Sequence, residues 1–142
     1  MSLRSKNIRE YETWKRMRQR CLNRKHEAYS NYGGRNITIC KSWIFSFENF
    51  FNDMGKRPIG MSLDRINNNE GYCKLNCRWA TRKEQNNNNR RNVKIIFQGV
   101  AKTALEWAIE AKIKPSTFKQ RFYVYKWPIE KCLLPKGGIR CL

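Results

Sequence analysis

Apolar residues recur at three- and four-residue steps from residue 6 to 24: Ile8, Tyr11, Trp14, Met17 or Arg18, and Cys21 with Leu22. That period predicts an amphipathic helix, with Lys6, Arg9, Lys15, Arg16 and Arg20 on its other faces. Tyr32-Gly33-Gly34-Arg35 predicts a turn, because paired glycines tolerate positive φ. Ile37 to Cys40 alternates like a short strand. Trp43, Phe47, Phe50 or Phe51, and Met54 form a second helical stripe, with Gly55 placed to end it. Aromatics at that spacing are read as core rather than as a base-stacking platform. Pro58 and Gly60 then break the chain.

The stretch from Met61 to Arg91 has a different rhythm. Met61 to Ile66 alternates as a strand, Asn67 to Gly71 is a polar turn, and Cys77 to Ala80 is a second short strand. Thr81-Arg82-Lys83-Glu84 has the form of a capping box, which opens a helix crowded with amides. Beyond it, Val93 to Val100 alternates around Gln98-Gly99 and predicts a small hairpin. Thr103 starts a helix with Glu106 three residues on and Leu105, Trp107, Ala108 and Ala111 as its apolar face. Ile113-Lys114 is a tight connection to a helix from Pro115 to about Tyr123, with Phe118 and Phe122 facing inward. A last short helix begins at Trp127-Pro128 and ends near Leu134, and Pro135 with Gly137-Gly138 frees the tail.

Composition changes the picture most through charge. The 142 residues carry 30 Lys+Arg against 11 Asp+Glu, a formal charge of +19. Self-repulsion of that size works against compactness, so the excess implies a polyanionic partner. Nucleic acid is the first choice. An anionic membrane is the rival, but no apolar run approaches a spanning helix, and neither a lipidation motif nor a signal peptide is visible. Six cysteines without a secretory signal lead us to expect free thiols in a reducing cytoplasm.

Candidate chemistry centres on Asp64, at the end of the first strand of the central unit. Phosphodiester hydrolysis needs a divalent ion, a group to activate water, and a rigid frame. A carboxylate there suits Mg²⁺, which prefers oxygen ligands, and the helix offers amide oxygens from Gln85, Asn86, Asn88 and Asn89. The plain alternative for Asp64 is a surface salt bridge with Arg65 or Arg78. In the C-terminal part, two helices joined by a few residues make a helix-turn-helix pattern, with Lys114, Ser116, Thr117, Lys119, Gln120 and Arg121 as candidate DNA contacts. The usual turn glycine is missing from Ala111-Lys112-Ile113.

Residues Tyr11 to Asn92 resemble the HNH endonucleases of the ββα-metal superfamily, particularly the small phage-encoded type. The resemblance is carried by Trp14 through Cys21, Tyr32-Gly33-Gly34-Arg35, Cys40 with Trp43, and Asp53-Met54-Gly55. It continues through Ser62-Leu63-Asp64-Arg65-Ile66, Gly71-Tyr72, Asn76-Cys77-Arg78-Trp79, and Glu84-Gln85 leading to Asn88. Residues 95 to 134 are similar to the helix-turn-helix tail often attached to such nucleases. The resemblance implies that Asp64 binds the metal and that Asn76 braces the loop. Where many of these enzymes have a water-activating histidine, this chain has Arg65, which stays protonated. A subset with the same Asp-Arg start is thought to use a tyrosine eight positions after the acid, and Tyr72 has that spacing. Such a tyrosine needs a pKa well below ~10, which Arg65 and a metal would favour. Arg65 could also clamp the scissile phosphate. Spacing in the family's helix points to Gln85 as second metal ligand, with Asn86 and Asn88 as alternatives. Related enzymes often hold zinc beside the site; Cys21, Cys40, Cys73 and Cys77 could form such a cluster, but they lack paired C-x-x-C spacing and are read as small buried thiols.

The sequence thus predicts an α+β protein: a ββα-metal (HNH) nuclease core with flanking helices over 1–92, and a small helical domain of helix-turn-helix type over 93–142. The expected activity is Mg²⁺-dependent (or other divalent-ion-dependent) endonucleolytic cleavage or nicking of double-stranded DNA, leaving 5′-phosphate and 3′-hydroxyl ends as the family implies. The alternative is a non-catalytic DNA-binding regulator, which the absence of histidine at Arg65 supports.

Overall fold

The computed structural model describes residues 1–135, and these form two compact units that divide between Asn89 and Arg90. The chain is mixed α+β, with two small antiparallel sheets among the described residues. No helix among them is long and apolar enough to cross a membrane. Cys141 and the Gly137-Gly138 pair lie outside the described residues.

The first unit opens with α1 (Leu3–Lys6) and α2 (Ile8–Leu22). Helix α2 buries Trp14, Met17 and Cys21, while Ile8 and Leu22, counted in the predicted stripe, are exposed. Two single-turn 3₁₀ segments follow, Tyr29–Asn31 and Gly33–Arg35. Gly33 is required there for space rather than for positive φ. A Cβ on it would come within 2.2 Å of the Cys21 carbonyl oxygen and 2.3 Å of the Tyr29 ring. Ile37 to Cys40 does not form a full strand: Ile39 makes only an isolated parallel bridge to Tyr72. The aromatic stripe is divided into α3 (Lys41–Ile44) and α4 (Phe47–Met54), because Ser46 caps the second helix by accepting from the Asn49 amide.

Strands β1 (Met61–Arg65) and β2 (Cys77–Thr81) pair antiparallel, with Asp64 opposite Arg78 and Arg65 opposite Cys77. The capping box forms as the sequence predicts: the Thr81 hydroxyl accepts from the Glu84 amide, and the Glu84 carboxylate accepts from the Thr81 amide at 2.7 Å. It starts α5 (Arg82–Asn87). One sheet face carries Leu63 and Trp79 against the core of Trp43, Phe47 and Phe50. Fully burying side chains of this size stabilises a domain by roughly 1.5–3 kcal/mol each. The indole N–H groups of Trp14, Trp43 and Trp79 donate to the Trp43 carbonyl, the Asp53 carboxylate and the Met54 carbonyl, so the aromatic core leaves no indole donor of the three unpaired.

The second unit contains the hairpin β3 (Ile95–Phe97) and β4 (Val100–Lys102), then α6 (Ala104–Glu110), α7 (Pro115–Lys119) and α8 (Ile129–Cys132). Gln98 and Gly99 both take positive φ, 50° and 75°, as a two-residue type I′ turn requires. Ile95, Trp107, Phe118 and Cys132 form its core. The helix predicted from Pro115 to about Tyr123 changes character midway: Gln120–Val124 is a π-turn, closed by Tyr125 N–H donating to the Gln120 carbonyl.

Candidate active site

Three elements converge on Asp64. Strand β1 carries it, β2 places Arg78 opposite it, and the end of α5 delivers Asn88. Arg78 Nε donates to Asp64 Oδ2 at 3.1 Å, and Asn88 Nδ2 donates to the same oxygen at 3.1 Å and to the Arg65 carbonyl at 2.6 Å. Asn88 is fixed from the helix as well, since its amide donates to the Glu84 carbonyl at 2.9 Å. The Asp64 side chain is 11% exposed and that of Arg78 is 42%. Both hydrogen bonds fall on Oδ2, so among the described residues Oδ1 has no partner. The salt bridge weighed in the sequence is present, with Arg78 as the partner rather than Arg65.

Gln85, the favoured helix ligand, points elsewhere. Its amide nitrogen donates to the Ser62 hydroxyl and, at 3.3 Å, to the Ser62 carbonyl, two residues back along β1. One helical turn of separation explains the difference. Gln85 sits within α5 over Ser62 of the strand pair, and Asn88 caps its end beside Asp64. Asn86 is exposed and takes no hydrogen bond to Asp64.

Successive strand residues face opposite sides of a sheet. Arg65 therefore leaves the strand away from Asp64 and is 7% exposed. Its Nη1 donates to the carbonyls of Asn68 and Glu70 at 3.0 and 2.9 Å, which pins the polar loop. Its guanidinium carbon lies 5.1 Å from the centroid of the Tyr72 ring and 5.2 Å from that of Tyr32. Tyr72 is 3% exposed in the aromatic core, and its hydroxyl accepts from Arg20 Nη2 at 3.2 Å. The expected roles of this pair need correction. Burial raises the Tyr72 pKa above its ordinary value, although Arg20 and Arg65 pull it down. The ring also lies on the face of the sheet opposite Asp64. Arg65 is spent on the loop rather than presented to a phosphate at Asp64.

Asn76 is buried and ties both ends of the loop. Its side chain donates to the Asn67 and Gly71 carbonyls and accepts from the Asn67 amide at 2.8 Å. Arg35 reaches the same loop, donating to Asn69 Oδ1 at 2.9 Å. The cysteines do not assemble as a metal site: among the described residues no three of His, Cys, Asp or Glu are grouped to hold an ion. Cys21 and Cys77 are buried, and burial raises both thiols, that of Cys77 to about 12. His26 accepts the Ala28 amide on Nδ1 and closes a turn.

In the second unit, Lys114 precedes α7 as its N-cap, and Ser116, Lys119 and Gln120 are exposed, with Thr117 partly so. Gln120 donates to the Tyr125 hydroxyl at 2.9 Å. Arg121 is not a free contact residue. Its Nη1 donates to the Cys132 and Leu134 carbonyls at the end of α8, and its guanidinium lies over Trp127. An arginine near helix-end carbonyls answers their unpaired acceptors, and sequence pattern cannot separate that use from a DNA contact.

The arrangement at Asp64 offers a hard cation one carboxylate oxygen and one amide, a sparse set that suits Mg²⁺, which keeps several waters. An amide carries donor nitrogen and acceptor oxygen on one carbon, so a half-turn of the Asn88 plane would exchange them. The sequence reading missed the role of Arg20 and Tyr32 beside Tyr72. The available signal was position: Arg20 lies on α2 next to Cys21 and one turn from Met17, at the margin of the buried stripe. No family model, curated protein or solved structure matches the chain.

Proposed function

We propose that this protein is a metal-dependent DNA endonuclease or nickase of the HNH (ββα-metal) type, with Asp64 and Asn88 as its metal-holding residues and a C-terminal helix-turn-helix unit as its DNA handle. The observation that carries the reading is the meeting of a strand carboxylate and a helix-end amide at 3.1 Å, with one carboxylate oxygen left open. A divalent ion bound there would polarise a phosphodiester and acidify a water. Asp64 would hold the ion, Asn88 would orient its carboxylate, and Arg78, half-exposed beside it, would offer a cation to a phosphate oxygen. Asn76 and Arg65 hold the adjoining loop rigid.

The direct test is supercoiled-plasmid cleavage with Mg²⁺ and with EDTA, beside duplex binding by mobility shift. Wild type is expected to cut only with the metal. Asp64→Ala should abolish cutting and keep binding, and Asn88→Ala should lower the rate by roughly 10–100-fold. Equal cleavage by Asp64→Ala would sink the assignment. One observation favours the alternative of a non-catalytic DNA-binding regulator: among the described residues, the side chains hydrogen-bonded to Asp64 are Arg78 and Asn88, and neither is a general base. On that reading the wild-type protein binds duplex DNA and cuts it under neither condition.

A further inference from the structure

Away from Asp64, one cluster concentrates positive charge without an acid to balance it. The guanidinium carbons of Arg20 and Arg65 lie 4.9 and 5.2 Å from the centroid of the Tyr32 ring. Tyr32 is nearly parallel to Tyr72, at 18° with centroids 6.5 Å apart. Neither arginine forms an ion pair with a carboxylate of the described residues. Arg20 Nε is buried with no hydrogen-bond partner. The Tyr32 hydroxyl makes no hydrogen bond among the described residues, and its side chain is partly exposed.

Taking a charge out of water is costly unless it is paired, and tyrosine faces offset only part of that cost. An anion between solvent and this cluster would relieve that penalty. A phosphate suits it because guanidinium N–H groups and a phenolic hydroxyl are its usual donors. The position excludes the phosphate at Asp64, since Arg65 and Asp64 leave β1 on opposite faces.

We infer that Arg20 and Tyr32 form a second phosphate subsite, with buried Arg65 adding its charge beside them, which takes a backbone phosphate of the bound duplex other than the one at Asp64. This rests on the reading of DNA as the partner. The subsite would fix the register of the duplex over the first unit, with Arg20 as the contact residue and Arg65 as its buried neighbour.

Arginine side-chain NMR on the full ¹⁵N-labelled chain tests it, without divalent ion so that no cleavage intervenes. The Nε–Hε signal of Arg20 should move on titration with a short duplex and saturate together with the backbone amides. An Arg20 signal that stays still while the amides report full binding overturns the inference. Movement with inorganic phosphate but not with duplex also overturns it, leaving only a pocket for free anions. In parallel, the slope of log Kobs against log salt should fall by about one for Arg20→Gln and stay unchanged for Arg20→Lys. Equal slopes in all three proteins would count against the subsite. A failure of the Asp64 assignment appears only in the cleavage assay, and failure of the subsite only in these binding measurements. If Arg20→Gln does not fold, the wild-type titration decides.

Discussion

A strand sends successive side chains to opposite faces, and this separates the fates of Asp64 and Arg65. Asp64 meets Arg78 and Asn88 on the side of α5, while Arg65 enters the core side with Tyr72. Spacing along the sequence puts Tyr72 eight residues from the acid but says nothing of which face it reaches. For this reason we expect Tyr72→Phe to leave the cleavage rate and its pH profile unchanged. The same variant should lose about 0.5–1.5 kcal/mol of stability, because the hydroxyl that accepts from Arg20 is gone. Alkaline stability gives the second measure. Burial raises Tyr72 and also Cys77, the latter from 9.0 to about 12. A raised folded-state pKa means that the unfolded chain loses its proton first. The stabilisation is thus whole below the unfolded values and is lost as pH climbs through the folded ones. Urea unfolding from pH 8 to 11 should show wild-type stability falling, and Tyr72→Phe falling less steeply. An identical fall in the two proteins would remove Tyr72 from the account, and a lost rate at neutral pH would return it to the chemistry.

Helix α5 is the element through which local sequence reaches the site. Its capping box was legible because Thr81 and Glu84 have the spacing that reciprocal bonding needs, and no tertiary contact is required to complete it. Which amide faces Asp64 was not legible, since a turn of helix separates Gln85 from Asn88 and only the seating of α5 on the strands selects between them. The second unit gives the same lesson at the end of α6. The sequence lacks glycine there, yet Lys112 takes φ 55° and the helix closes in a Schellman arrangement, with Lys112 N–H donating to the Ile109 carbonyl and Ile113 N–H to that of Ala108. Packing of the partly buried Ile113 against the unit's core holds Lys112 in a conformation that local preference alone would not give it. Thr81→Ala should cost about 1 kcal/mol of stability by removing the cap. It should also lower cleavage at saturating Mg²⁺, because the start of α5 frays while its far end must hold Asn88 against Asp64. Circular dichroism with urea and the plasmid assay would read the two effects. A stability loss with an unchanged rate would mean that Asn88 is placed by its own contacts to Arg65 and Glu84.

At the scale of the whole molecule, the charge of +19 cannot be answered internally, since eleven acids face thirty bases. Several of those acids are already engaged inside the protein: Glu10 accepts the Arg57 amide, Asp53 accepts the Trp43 indole, and Glu84 caps α5. The remaining positive field must be balanced by counterions or by a polyanion, and a duplex supplies one charge per ~1.7 Å of its axis. Exchange of those counterions for phosphates predicts a steep salt dependence. If six or more phosphates are contacted, duplex affinity should fall by at least ~10³ between 50 and 200 mM salt. Fluorescence anisotropy with a labelled duplex of arbitrary sequence measures this directly, and Asp64→Ala should give the same slope as wild type or a steeper one, because it removes a negative charge near the backbone. A nearly flat dependence would mean that the excess charge serves something other than a phosphate backbone, and the nuclease and regulator readings would fall together. A steep dependence that is equal for duplex and single-stranded RNA would keep the polyanion and leave the choice of DNA to the second unit, where Lys114, Ser116 and Lys119 remain exposed for contact.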